Sequence, residues 1–376
     1  MNFDAVDRLN VVYVISDLDV GGAQMHALDL LVNLDPQKFS PHLICIGEKG
    51  QLLQRVEECG IPTVVMNLPR KQQALKTLTR LVRHLSACRP DVIMVFGFNA
   101  EILGRLAGRL IGVKKSVVWF HGLEDSDKGF LLTAMHRFLD RGTSTYMCVA
   151  HAQKVLLLKK RRLASENIQV ITNGVNLEKF TPASNDRLLR ELSFCQEIPV
   201  VGIVAALRPE KNHELLMMAM SELAERIPNV VLLIIGDGPE RETLQKLACT
   251  LGLESCVRFL GCRQDISTLL TCMDVFVLCS KTEAAPLAVL EAMACGLPVV
   301  CSDVGAMREI IDDGVTGFLF PNGDVERLVE SLYAVLSTPL LARSVGESAR
   351  KAVETRFSLD ASIASIEKAI LKIGNS

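Results

Sequence analysis

The stretch from Asp274 to Asp303, DVFVLCSKTEAAPLAVLEAMACGLPVVCSD, decides how this chain is read. Asp274 to Cys279 is a short apolar run of buried-strand type, Lys281 to Ala285 is a polar turn, and Pro286 suits the first position of a helix that Gly296 would end. With the apolar run that follows, the unit reads strand, loop, helix, strand. Between Ala284 and Ser302 the only charged residue is Glu291, with Leu287 and Cys295 one helical turn away on either side. A carboxylate on so apolar a helix is costly to bury without hydrogen-bond donors, and a polyhydroxylated ligand supplies donors. Glu283 lies eight positions earlier, on the loop. Two carboxylates are therefore expected at the strand-end crevice where open α/β sheets bind ligands. The bland alternative is a solvated Glu291 and a Glu283 that merely caps the helix.

The same alternation extends outward. Upstream, strand-type runs at Pro199 to Ala205, Val230 to Ile235 and Val257 to Phe259 alternate with helical patterns at Glu214 to Arg226 and Glu240 to Leu251. Further back, Val11 to Ser16, His42 to Ile46, Thr63 to Met66, Asp91 to Phe96, Ser116 to Trp119 and Thr145 to Val149 read as strands. Helical stretches separate them, among them a basic amphipathic one from Gln72 to Ala87. This βαβ rhythm predicts doubly wound parallel sheets. Asn185 to Gln196 is polar and lacks a strand, which places a linker there. The expected fold is α/β, with two Rossmann-like domains facing a cleft: an N-terminal domain over 1–190 and a C-terminal domain over 191–356. A last helix, within 357–376, is expected to pack back on the first.

At 376 residues and 49% hydrophobic content the chain can fill two cores. Its first apolar run is too short for a signal peptide, and no stretch approaches the roughly 20 apolar residues that span a bilayer. Twelve cysteines without a C-x-x-C pair, many inside apolar runs, suit reduced, buried thiols. A cytoplasmic protein without disulfides or zinc is expected. Charge divides unevenly. Residues 1–190 hold 25 Lys+Arg against 18 Asp+Glu (+7), and the remainder 16 against 25 (−9). The basic half, with its run Lys159-Lys-Arg-Arg162, is a candidate for peripheral contact with an anionic membrane, although solvated surface is the commoner reason for such an excess.

Three loops could meet phosphate. Arg208 and Lys211 sit three apart after the strand ending at Ala205, where two cations suit a diphosphate and neutralise a leaving phosphate without a metal. Gly236 begins another strand-end turn, and the loop containing Arg263 could face a nucleobase with its backbone. Gly21 and Gly22 open a helix after the first strand, so backbone N–H groups there can meet an anion. That turn lacks the G-x-G-x-x-G spacing, which disfavours a nicotinamide or flavin. Asp17-Leu-Asp19 and Asp125-Ser-Asp127 match a metal-binding D-x-D by chance in a chain with two alternating halves.

The ordered set GGA near 21, FHG at 120–122, ITNGVNLEKF at 171–180, LRPEKN at 207–212, IGDGPER at 235–241, FLG at 259–261, and Glu283 to Glu291 followed by AMACGLPVV resembles the retaining GT-B glycosyltransferases of family 4, the glycosyl transferases group 1. The resemblance spans nearly the whole chain. It implies a sugar nucleotide held mainly by the C-terminal domain, an acceptor held mainly by the N-terminal one, and metal-independent transfer with retention. It places Glu291 on the ribose, and Glu283 near the donor sugar with the backbone of Ala284, Ala285, Pro286 and Leu287. Lys211 falls on the diphosphate with Arg208 beside it, Gly22 beside the donor, and His121 near the reacting carbon. No cofactor, metal or nucleic acid is implied. The implied donor is a UDP-sugar, and the acceptor belongs to polysaccharide, lipopolysaccharide or glycolipid assembly. The chain departs from the pattern at Ala206, at Ala284-Ala285-Pro286 and at Ala150, where relatives often carry Arg, Gly-Phe-Gly and Ser. A sugar-nucleotide 2-epimerase and a catalytically silent scaffold subunit of a polysaccharide complex are the alternatives on the same fold.

Overall fold

The computed structural model describes residues 8–19, 21–67, 74–122, 130–161, 163–183 and 198–374. They form two α/β units, one running to Thr172 and resuming at Asp360, the other covering Asn173–Leu359. In the first, β1 (Leu9–Ile15), β2 (Phe39–Cys45), β3 (Thr63–Val65), β4 (Val92–Phe96), β5 (Ser116–Phe120), β6 (Thr145–Cys148) and β7 (Ile168–Val170) form one sheet in the order β3-β2-β1-β4-β5-β6-β7. Every pairing in it is parallel. Helices cover both faces of such a sheet, so its strands are apolar without alternation. Val92–Phe96, VIMVF, is buried at each position. Helices α1 (Gly22–Val32), α2 (Leu53–Glu58), α3 (Ala74–Cys88), α4 (Phe98–Leu110), α5 (Phe130–Asp140) and α6 (His151–Arg161) are the crossovers.

A charged cluster fastens α4, α5 and α6 together. Glu101 Oε1 lies 3.0 Å from Arg105 Nη2, 2.6 Å from Arg161 Nη2 and 3.1 Å from His136 Nδ1. Arg105 Nη1 donates to Asp140 Oδ1 at 2.8 Å, and the Tyr146 hydroxyl donates to the same oxygen at 2.6 Å. Burial works to raise the Glu101 pKa, but the His136 hydrogen bond and the Arg161 and Arg105 charges outweigh it and hold the group at about 2.

The second unit repeats the plan with β8 (Val200–Val204), β9 (Val231–Ile235), β10 (Val257–Gly261), β11 (Val275–Leu278), β12 (Val299–Ser302) and β13 (Phe318–Phe320), in the order β10-β9-β8-β11-β12-β13. All of its pairings are parallel as well. Its helices are α7 (His213–Arg226), α8 (Arg241–Thr250), α9 (Ile266–Leu270), α10 (Leu287–Ala294), α11 (Met307–Ile310), α12 (Val325–Ser337) and α13 (Pro339–Arg356), and α14 (Leu359–Gly374) leads back into the first unit. In each sheet the strand order reverses once, beside β1 and β4 in the first and beside β8 and β11 in the second. These are the switch points at which loops diverge and leave a ligand crevice beyond the strand ends.

The stretch Asn185 to Gln196, expected as the linker, lies outside the described residues, as does Asp125 to Asp127. The units divide after Thr172 rather than after 190. Residues 173–183 belong to the second unit because their partners are there. Asn173 Nδ2 donates to Ala285 O at 2.7 Å, the Val175 N–H to Phe357 O at 2.9 Å, and Arg350 Nη1 to Phe180 O at 2.6 Å. The last helix is tied to the first unit. Glu367 Oε1 accepts from the Asp35 N–H at 2.7 Å, and Ser362 Oγ donates to Thr172 O at 2.9 Å. Pro286 precedes α10 as its cap in extended conformation, one residue outside the expected helix start. Among the described residues no helix is long and apolar enough to cross a membrane.

Candidate functional site

Parallel strands put all their C-terminal ends on one edge, so the loops after β8 and β11 emerge side by side at the switch point of the second sheet. After β8 the chain forms a single 3-10 turn, Pro209–Lys211, and Asn212 then adopts φ 53°, a left-handed conformation that Asn tolerates better than most residues, before α7 starts. After β11 it forms the turn Cys279 to Ala285. Lys211 Nζ donates to Glu283 Oε1 at 2.6 Å, and Ser280 Oγ donates to the same oxygen at 2.6 Å. The backbones are also joined, by the Lys281 N–H to Glu210 O at 2.8 Å. Ser302 Oγ donates to Ser280 O at 2.6 Å, and the Ala306 N–H to Glu283 O at 3.2 Å. Glu283 is buried, while the Lys211 side chain keeps 24% of its surface open. The ammonium is thus fixed on one side and has further N–H donors for an anion.

Neighbouring loops complete the rim. Gly236 follows β9 with φ 137°, and a Cβ there would stand 2.0 Å from Ala205 O. Only glycine fits, because the β9 turn lies directly against the β8 loop. The Gly236 N–H donates to Gly261 O at 2.9 Å, which brings in the β10 loop. There the Arg263 guanidinium grips Asp265 through two bonds of 2.8 and 2.6 Å, so what this loop offers a ligand is its backbone. Glu291 is half-buried on α10. Its carboxylate adds to the burial that pushes the Cys295 thiol up to about 12. Arg208 does not join Lys211 and Glu283. It is 63% exposed and only 4.0 Å from Glu210, a surface pair worth about 0–1 kcal/mol.

In the first unit Gly21 is the extended cap of α1 and Gly22 its first residue, just beyond β1. His121 directly follows β5, half-buried. Its ring centroid lies 4.6 Å from Trp119, 4.8 Å from Phe96 and 5.8 Å from His26. Neither ring nitrogen has a hydrogen-bond partner among the described residues. Burial, with a smaller contribution from His26, drives the His121 pKa well below 6.5, so the ring is neutral at physiological pH. A neutral imidazole with both nitrogens uncommitted can donate one hydrogen bond and accept another.

Ser280, Asn173 and Ser302 escaped the sequence reading. Asn173 and Ser302 act through bonds to residues distant in sequence, Ser280 through a bond to Glu283 three positions on, and a single Ser or Asn carries no signal in a pattern. Among the described residues no group of three His, Cys, Asp or Glu could hold a metal ion.

Two family models match the chain: Glycosyltransferase Family 4 over residues 20–179 and Glycosyl transferases group 1 over residues 185–352. The UDP-Gal:alpha-D-GlcNAc-diphosphoundecaprenol alpha-1,3-galactosyltransferase of Escherichia coli is 30% identical over 336 residues, 86% of each chain. The GDP-mannose-dependent monoacylated alpha-(1-6)-phosphatidylinositol monomannoside mannosyltransferase of Corynebacterium glutamicum is 31% identical over 356 residues, 90% of this chain and 91% of the relative. The crystal structure of Anabaena HepE in complex with UDP-glucose superposes with a TM-score of 0.86 at 22% identity, covering 97% of this chain and all of the other. The two α/β units are those of the GT-B glycosyltransferases. The chain belongs to glycosyltransferase family 4, the glycosyl transferases group 1, and is a glycosyltransferase.

Proposed function

We propose that the chain is a retaining, metal-independent hexosyltransferase that moves a sugar from a nucleoside-diphosphate donor, UDP-linked in our reading, to a saccharide or lipid-linked acceptor in polysaccharide, lipopolysaccharide or glycolipid assembly. The observation that carries the reading is the Lys211–Glu283 pair beyond the ends of β8 and β11. It holds an ammonium with unused donors at the switch point, where a diphosphate would be bound. In the reaction the bond from the anomeric carbon to the diphosphate breaks and a bond to the acceptor oxygen forms on the same face. The acceptor proton passes to the departing phosphate. Charge grows on that phosphate in the transition state, so a preorganised cation there stabilises the transition state more than the ground state.

Within this reading Lys211 neutralises the leaving diphosphate, and Arg208 joins it only after swinging from its exposed position. Glu283 orients Lys211 and meets sugar hydroxyls with the backbone of Ala284 to Leu287. Glu291 takes the ribose hydroxyls, and the loop of Gly236 and Arg263 lies against the base. His121, like Gly21 and Gly22 a residue of the first unit, is assigned to the transferred sugar. UDP is favoured because the E. coli relative is named for UDP-Gal and HepE is solved with UDP-glucose, whereas the C. glutamicum relative is named for GDP-mannose. We place the protein in the cytoplasm, with peripheral contact to anionic lipid through its basic half.

A panel of UDP- and GDP-sugars, assayed for nucleotide release with and without a lipid extract, tests this. Acceptor-dependent release from a UDP-sugar is expected. Conversion of donor without acceptor would indicate an epimerase, and absence of nucleotide binding a silent scaffold.

A further inference from the structure

We propose that Gln153 is a positioning residue that holds the His121–Gly122 turn in register for sugar transfer. The proposal rests on the assignment of His121 above. Gln153 lies in the first turn of α6 and is 1% exposed, yet both ends of its amide are used. Its Oε1 accepts from the Val149 N–H at 2.9 Å, and its Nε2 donates to Gly122 O at 2.6 Å. One side chain therefore ties the end of β6 to the residue directly after His121.

The local sequence explains why a glutamine does this. Position 150, which precedes α6, is alanine and has no oxygen to satisfy the free N–H groups of the helix start. A Gln at the third helical position can reach back to the backbone before the helix, and Gln153 reaches the N–H of Val149, the residue before that alanine. A carboxylate would do that as well, but it has no N–H for a second partner. The amide accepts from Val149 and donates to Gly122 at once whatever the pH. The link matters because neither nitrogen of the His121 ring has a hydrogen-bond partner among the described residues; the ring packs against Trp119 and Phe96. On one side of His121 the backbone is anchored by the pairing of Phe120 with Cys148 in the sheet, and on the other by the bond from Gln153 to the Gly122 carbonyl. A role confined to capping α6 would need only the bond to Val149.

The test uses Gln153→Met, which keeps the volume and removes both bonds, and Gln153→Glu at pH 9.5, above the range of about 8–9 to which burial raises a carboxyl, where it keeps the acceptor and loses the donor. Trp119 is the sole tryptophan, so its fluorescence reports on the adjacent His121 ring without any assay of transfer. We expect both variants to stay folded, to shift or change the intensity of Trp119 emission, and to lose ~10-fold or more in kcat with donor KM within twofold, since small misplacement near the chemistry acts on turnover. Wild-type emission and kcat in Gln153→Glu, with losses only in Gln153→Met, would reduce Gln153 to a helix cap and overturn the proposal. A wild-type protein that transfers no sugar would defeat the activity reading instead, and the emission comparison would still decide whether Gln153 fixes the turn.

Discussion

Lys211 Nζ donates to Glu283 Oε1 at 2.6 Å although the two residues are 72 positions apart, because each leaves one of the two strands flanking the reversal in the second sheet. The pair is shared with Ser280, so it is held from three sides before any ligand arrives. Lys211→Ala leaves the buried Glu283 carboxylate without its counter-charge, so it should cost about 1–3 kcal/mol of stability and lower kcat by roughly 10²–10³-fold, the usual cost of removing one preorganised donor from developing charge. Steady-state kinetics with saturating donor measures it.

Glu283→Gln leaves an ammonium, three-quarters covered, without its counter-charge. A group stripped of its charged partner costs more than the pair contributed. We expect a loss of about 1–3 kcal/mol in urea unfolding together with a fall in turnover. Unchanged stability with unchanged turnover would remove Glu283 from the site.

Gly236→Ala should destabilise the second unit by about 1–3 kcal/mol. The new Cβ meets Ala205 O, and φ 137° disfavours any side chain. A melting temperature equal to wild type would contradict the close approach of these turns.

Three histidines whose pKa burial lowers, His26, His121 and His213, make stability depend on acidity. Burial lowers His213 to about 4 from 6.5, with Lys211 adding to the effect, and lowers His26 to about 3. The folded state then binds these protons less readily than the unfolded chain, so stability falls as pH drops from about 6.5 toward 4. For His213 alone the shift corresponds to a loss on the order of 3 kcal/mol. Glu101 acts lower on the scale. Held at about 2, its contribution is full above its ordinary 4.5 and is lost as pH falls toward 2. Urea unfolding from pH 8 to 4 should show a decline that His213→Phe makes shallower, and Glu101→Gln should be weaker than wild type at pH 7 by about 3–5 kcal/mol.

The sheets were legible in the sequence because parallel strands covered on both faces are written as unbroken apolar runs: VIMVF at β4 and VLLII at β9 admit few other readings. Lys211 and Glu283 were legible as separate candidates because each follows such a run. The bond between them was not, since it depends on strand order. β13 is three residues long, and α12 and α13 lie in a stretch, 304–356, where no strand run guided the eye. The cluster of Glu101, Arg105, Asp140, His136 and Arg161 was invisible for a different reason: its charges are spread over three helices, and in sequence each looks like a solvated residue. Residues 173–183 group with the second unit through hydrogen bonds to Ala285, Phe357 and Arg350, long-range bonds that no local pattern in the chain announces.

Calorimetric titration of UDP into the wild-type protein and into Lys211→Ala tests the central claim most directly. The account predicts binding to wild type that weakens tenfold or more in the variant, about 1.4 kcal/mol or above. Equal affinity for the two proteins, or no heat of binding to either, would contradict it.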